Sequence, residues 1–150
     1  GLIFARNYLQ LGEKEKGTDL IVSILDRINK NLSWYDRLSP VQIANSWIDI
    51  SRNNLDPLLM IADIYQVFDH QKYITLVDDL LKRAQFYYGT GVYPLGDDIL
   101  KELTNSSLRS YYGSSNDTVS RHVAEQTMQK TLKMMQQYNP KLFEQYGKLQ

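Results

Sequence analysis

The sequence predicts an all-α protein made of antiparallel helical hairpins. Apolar residues recur at spacings of three and four along most of the chain, and no segment alternates for long with a period of two. Between the periodic stretches stand glycines, or an Asp or Ser followed by proline, which are signals for helix ends and helix starts.

Ile3, Phe4, Tyr8 and Leu11 share a helical face, and Gly12 is placed to end that helix in a left-handed conformation. The charged turn "GEKEK" leads into a second helix, expected over residues 17–31, with Leu20, Ile21, Ile24, Leu25 and Ile28 as its apolar stripe. Ser39-Pro40 reads as an N-cap followed by proline in the first turn. Val41, Ile43, Ala44, Trp47, Ile48 and Ile50 continue at helical spacing, and Asp56-Pro57 predicts a break over 53–56. An apolar helix over 57–68, the turn "DHQK" and a helix over 73–88 follow, the last burying Ile74, Val77, Leu80, Leu81 and Ala84.

Beyond Tyr88 the glycines and proline of "GTGVYPLGDD" predict a loop over 89–96. A short helix capped by Asp97 or Asp98 runs to Leu103, and the polar stretch 104–117 reads as a second loop. Together they form a loop-rich insert over about 89–117. A long helix over 118–138 comes next, and Asn139-Pro140 closes it and opens a last turn. The whole chain, 1–150, is expected to be a single helical domain cut from a longer protein, since it opens on Gly rather than Met.

Composition narrows the function classes. Hydrophobic residues make up 43% and charged residues 23%, the balance of a folded globular chain. With 17 basic and 17 acidic residues there is no basic excess to track phosphates, so nucleic acid is not an expected partner. The absence of cysteine removes disulfides, thiolate metal sites and Cys nucleophiles and leaves the compartment open. No apolar run reaches the roughly 20 residues of a membrane span.

Ala5-x-x-Tyr8-x-x-Leu11-Gly12, followed by a charged turn and an aliphatic helix, resembles the middle of a tetratricopeptide unit. There a small residue permits close helix approach, an aromatic fills the groove and a glycine makes the turn. Ala62-x-x-Tyr65-x-x-Phe68 is a weaker echo, with Leu76, Leu80 and Ala84 in the helix after it. The resemblance implies hairpins packed as a tetratricopeptide-like right-handed array. The two copies lie 57 residues apart, where a tandem array repeats every 34 or so.

A larger resemblance rests on Tyr8, Leu11, Gly12, Lys14 and Lys16, on Asn31 to Tyr35 with Leu38-Ser39-Pro40, and on Gln136-Gln137-Tyr138. These resemble the C-terminal soluble region of bacterial membrane glycosyltransferases related to protein O-mannosyltransferases. The resemblance implies an extracytoplasmic, periplasmic helical domain attached to a membrane-embedded transferase. None of these motifs is catalytic, so it carries over no active-site residue, and residues 89–118 fall outside it.

The residues themselves offer little chemistry. His122 and Glu125 share a helix face but lack further ligands, and His70 sits in a turn, so no metal or cofactor is expected. Asp78-Asp79 and Asp97-Asp98 are adjacent pairs that diverge by about 100° on a helix instead of converging across a cleft. No nucleotide-binding loop or nucleophile elbow is present, so the fragment is not expected to be an enzyme. Asn31, Asn105 and Asn116 each open an N-glycosylation-type tripeptide, though Asn116 or Asp117 reads first as the N-cap of the long helix.

Tyrosine is abundant at 11 residues, and a binding patch is expected from Tyr87, Tyr88, Tyr93, Tyr111 and Tyr112, carried on the two loops. Tyr8, Trp34, Trp47 and Tyr65 are candidates for an aromatic groove. The expected function is a non-catalytic domain that binds or positions a protein or glycoprotein acceptor. The alternatives are a stand-alone carbohydrate- or peptide-binding domain and a structural module that dimerises through Val123, Met128, Leu132 and Met135.

Overall fold

In the computed structural model, which describes residues 1–114 and 116–148, every regular element is a helix, as expected. Contacts divide the chain into two compact units, 1–68 and 69–150.

In the first unit, α1 (Leu2–Gln10) and α2 (Lys14–Asp36) form a hairpin. Gly12 adopts φ +82°, and the Glu13 and Gly12 N–H groups close on Tyr8 O (2.8 Å) and Leu9 O (3.2 Å). This left-handed ending satisfies carbonyls that the helix would otherwise strand. The face turned inward differs from the expected stripe: Ala5 is fully buried, whereas Ile3, Phe4 and Leu11 are exposed. Close backbone approach selects that face. A Cβ at Gly17 would lie 2.7 Å from Leu9 Cγ and 3.0 Å from the Ala5 carbonyl oxygen, so two small residues meet where the helices are nearest.

Helix α2 outruns its expected end because Leu32 extends the buried line of Gly17, Ile21 and Ile28. Helix α3 (Pro40–Asn45) starts on a reciprocal cap. The Gln42 N–H donates to Ser39 Oγ, and the Ser39 N–H donates to Gln42 Oε1 at 3.0 Å. Between α4 (Trp47–Ile50) and α5 (Asp56–Phe68), the expected break is a π-helical turn, Ser51–Leu55. Pro57 has no N–H to give, and the widened turn with Asp56 N–H on Ser51 O carries the chain past it without ending the helix.

The second unit contains α6 (His70–Gly89), α7 (Tyr93–Gly113), α8 (Thr118–Tyr138) and α9 (Pro140–Gly147). Most of the expected loop-rich insert over about 89–117 is instead the single long helix α7, and residue 115 of that insert lies outside the described residues. Gly91, at φ +82°, ends α6 with Val92 N–H on Tyr87 O (2.9 Å), and Pro94 sits in the first turn of α7, where its missing N–H costs nothing.

The polar run after Leu103 is the seam between α7 and α8. Thr104 and Thr131 bring their hydroxyls to 2.7 Å, and each also lies near a carbonyl of its own helix, Leu100 O at 2.8 Å and Met128 O at 3.0 Å. Ser107 donates to Leu103 O at 2.8 Å. With their hydroxyls bonded in this way, small residues can be buried in a helix seam as an alanine is. Val123, Met128, Leu132 and Met135 are buried within this unit, so the stripe expected to face a second copy is already covered.

The second tetratricopeptide echo straddles the division. Ala62 and Tyr65 lie in α5 of the first unit, and Leu76, Leu80 and Ala84 lie in α6 of the second.

Candidate functional site: an aromatic corner of the first unit

The tyrosine patch does not form as one surface. Tyr87 and Tyr88 are core residues, while Tyr93 and Tyr111 stand at opposite ends of α7, about 27 Å apart along its axis. Tyr88 is the centre of a clasp. Its ring stacks on Tyr138 at 4.6 Å and leans toward Tyr93 at 6.2 Å, and its hydroxyl donates to Asp97. Asn139 Nδ2 donates to the same carboxylate at 3.1 Å, tying the start of α9 to the second turn of α7. Burial, reinforced by the bond to Asp97 and the charges of Asp97 and Asp98, raises the pKa of Tyr88 well above that of free tyrosine. At the other end of α7, Tyr111 packs edge-on against exposed Tyr112 and lies 4.4 Å under the Arg121 guanidinium.

His70, Ser120 and Asp117 come together at the adjoining starts of α6 and α8, but in an order unsuited to nucleophile activation. Ser120 Oγ donates to Asp117 Oδ2 at 2.7 Å, and His70 Nε2 lies 3.2 Å from Ser120 Oγ. An activated serine needs the imidazole to take its proton and the acid to orient the imidazole. Here Asp117 instead caps α8, and the bonds it accepts from the Ser120 hydroxyl first, then from the Ser120 and Val119 N–H groups, hold its carboxyl below the usual range. Asp78 pairs with Lys130 at 3.0 Å, and His122 and Glu125 are exposed. Among the described residues, no group of three or more acids and histidines converges as metal ligands would.

The groove candidates separate as well. Tyr65 is core, and Tyr8 lies beside Lys16 near the start of α2, about 27 Å along that helix from Trp34. Trp34 and Trp47 remain exposed, at 59% and 51%. Val41 (68%) and Ile48 (51%) are exposed with them. Trp34 packs edge-on against Tyr35, with centroids 5.1 Å apart, and Tyr35 donates its hydroxyl to Asp49, the residue after Ile48. This bond joins the end of α2 to α4. Bonds from Tyr35 and Asn53 hold the Asp49 carboxyl below its usual range, and the same contact raises Tyr35 above its own.

Beneath this corner, buried Asn54 donates from the π-helical turn to Asp49 O at 3.1 Å. A shallow recess along α2 is lined by Asp26, Asn29, Lys30, Ser33, Trp34 and Arg37. The Tyr35–Asp49 link escaped sequence reasoning because 14 residues and two helix starts separate the pair; an Asp within an otherwise apolar four-residue helix is the one hint of it.

No protein family, curated protein or solved structure matches this chain.

Proposed function

We propose that this is a non-catalytic interaction domain that docks a macromolecular surface through the α2–α4 corner of its first unit. The observation that carries the proposal is the exposure of both tryptophans of the chain, on the two helices that the Tyr35–Asp49 bond joins, with Val41 and Ile48 of α3 and α4 exposed as well. Tryptophan offers more apolar area than any other side chain, so leaving two exposed is costly unless another surface covers them. The resemblance of residues 8–40 supports placing the domain on the extracytoplasmic side of a glycosyltransferase-like membrane protein. A right-handed stacking of hairpins belongs to the same proposal, supported by the α1–α2 pair with its Ala5–Gly17 approach.

The test is photo-crosslinking in producing cells, with a benzophenone side chain replacing Val41 and, as a control, exposed Gln85 of the second unit. Adducts at position 41 and none at 85 are expected. Equal or absent labelling at both would remove the docking proposal.

A further inference from the structure

We propose that the α2 face of this corner pairs with the same face of a second copy of the chain, the two α2 helices running antiparallel about a twofold axis. This rests on the docking proposal and names its partner. Asp26, Asn29, Lys30, Ser33, Trp34 and Arg37 are all exposed and line one open trough along α2. Asp26, Lys30, Ser33 and Arg37 follow one another at steps of four, three and four residues, the spacing of one side of a coiled-coil seam. That seam is complementary to itself. A twofold axis between residues 31 and 32 sets position 26 opposite 37 and position 30 opposite 33. Asp26 of each copy then meets Arg37 of the other, and Lys30 meets a serine instead of its like. Asp26 already holds Lys30 of its own helix at 3.0 Å, whereas Arg37 makes no ion pair among the described residues and can reach across.

The flanks agree with this register. Trp34 stands on one flank of the seam, and Arg27, seven residues earlier, stands on the same flank. A twofold axis keeps like flanks together. Position 34 lies level with 29 of the other copy, two residues or about 3 Å along the axis from its Arg27, so the indole can be covered by that guanidinium. On the opposite flank Asn29 and Asp36 meet in the same way, an amide donor beside a carboxylate. With Asp26 and Asp36 against Arg27, Lys30 and Arg37, each face is nearly balanced, so two copies repel little. A surface of a single charge sign would be opposed by one end of the trough, whereas the same trough turned end for end is opposed by neither. A twelve-residue seam and one indole a side fall short of the roughly 800 Å² per partner of a stable complex, so the dimer is reversible and forms at high protein concentration.

The test is sedimentation velocity of the full chain up to about 0.5 mM, with Arg37→Asp and Asp26→Arg made separately and then mixed. The parent should form a concentration-dependent dimer that salt weakens. Each variant alone sets like charges opposite each other at both ends of the seam and should weaken dimerisation about tenfold. Both positions are exposed, so the far-ultraviolet circular dichroism spectrum should not change. An equimolar mixture should restore the dimer, because the two exchanged charges then face each other and the two unexchanged ones do so as well. A dimer indifferent to either variant, or a mixture no better than the variants alone, would overturn the pairing. A monomer at every concentration, alongside an adduct to a different protein at position 41, would overturn the second copy and leave docking intact. A monomer with no adduct at position 41 would remove both proposals.

Discussion

Replacing Gly96 with alanine tests whether the tyrosine clasp is rigid. In isolation the change favours the helix, since alanine is better than glycine in a helix interior by about 1 kcal/mol. The structure opposes it. The new Cβ would stand 2.7 Å from Cε2 and 2.8 Å from Cζ of the Tyr88 ring, inside any real contact distance. That ring cannot easily retreat, because its other face stacks on Tyr138 at 4.6 Å and its hydroxyl is bound to Asp97. Overpacking of this kind costs roughly 1–3 kcal/mol, and here the loss of the Tyr88–Asp97 and Asn139–Asp97 bonds adds about 1 kcal/mol more. The net expectation is a destabilisation of about 1–3 kcal/mol, or a fall in Tm of about 2–12 °C.

Gly89→Ala is the matched control. It lies at the end of α6 at negative φ with nothing within 4 Å of its Cβ position, so it should be neutral or slightly stabilising. Thermal and urea unfolding followed at 222 nm would measure both. If Gly96→Ala were as stable as the parent, the ring would have somewhere to go, and the clasp described here would be wrong.

Three further outcomes are expected. Gly91→Ala forces a side chain into φ +82° and should cost about 1–2 kcal/mol in urea unfolding, with Gly91→Asn milder; equal stability of all three would contradict the left-handed ending of α6. Thr104→Val and Thr131→Val, combined in a double-mutant cycle, should show a coupling energy of about 0.5–1.5 kcal/mol, and strictly additive losses would mean that the two hydroxyls do not bond.

The third concerns pH. The unfolded chain releases the Tyr88 proton near pH 10 while the folded chain retains it, so this stability is complete below pH 10 and is lost as pH rises toward the elevated folded pKa. Tyr88→Phe should flatten that alkaline loss. At the acid end, the lowered carboxyls of Asp49 and Asp117 stabilise the fold above their unfolded pKa near 4, and this is lost as pH falls through their folded values. Asp49→Asn should remove part of the acid dependence of unfolding, and an unchanged acid limb would count against the Tyr35–Asp49 bond.

What the sequence by itself determined is local. Helical periodicity, the Ser39-Pro40 and Asn139-Pro140 starts and the Gly12 ending depend on residues within four or five positions of each other and were legible as written, while the cap of α8 was narrowed to Asn116 or Asp117, of which Asp117 makes it. Tertiary structure decided which faces are buried. Ile3, Phe4 and Leu11 are exposed because Ala5 and Gly17 bring the backbones together, a preference for small residues that hydrophobicity does not register. Thr104 and Ser107 read as loop because polarity usually means water, yet both are buried in α7 with their hydroxyls bonded, Thr104 against Thr131 of α8. Gly91 and Pro94 read as breakers of a helix and instead punctuate two, which depends on the neighbours either side. The same holds at the candidate site. Composition counted eleven tyrosines and two tryptophans, but only packing divides them into a buried clasp around Tyr88 and an exposed corner around Trp34 and Trp47, because burial depends on partners distant in the chain.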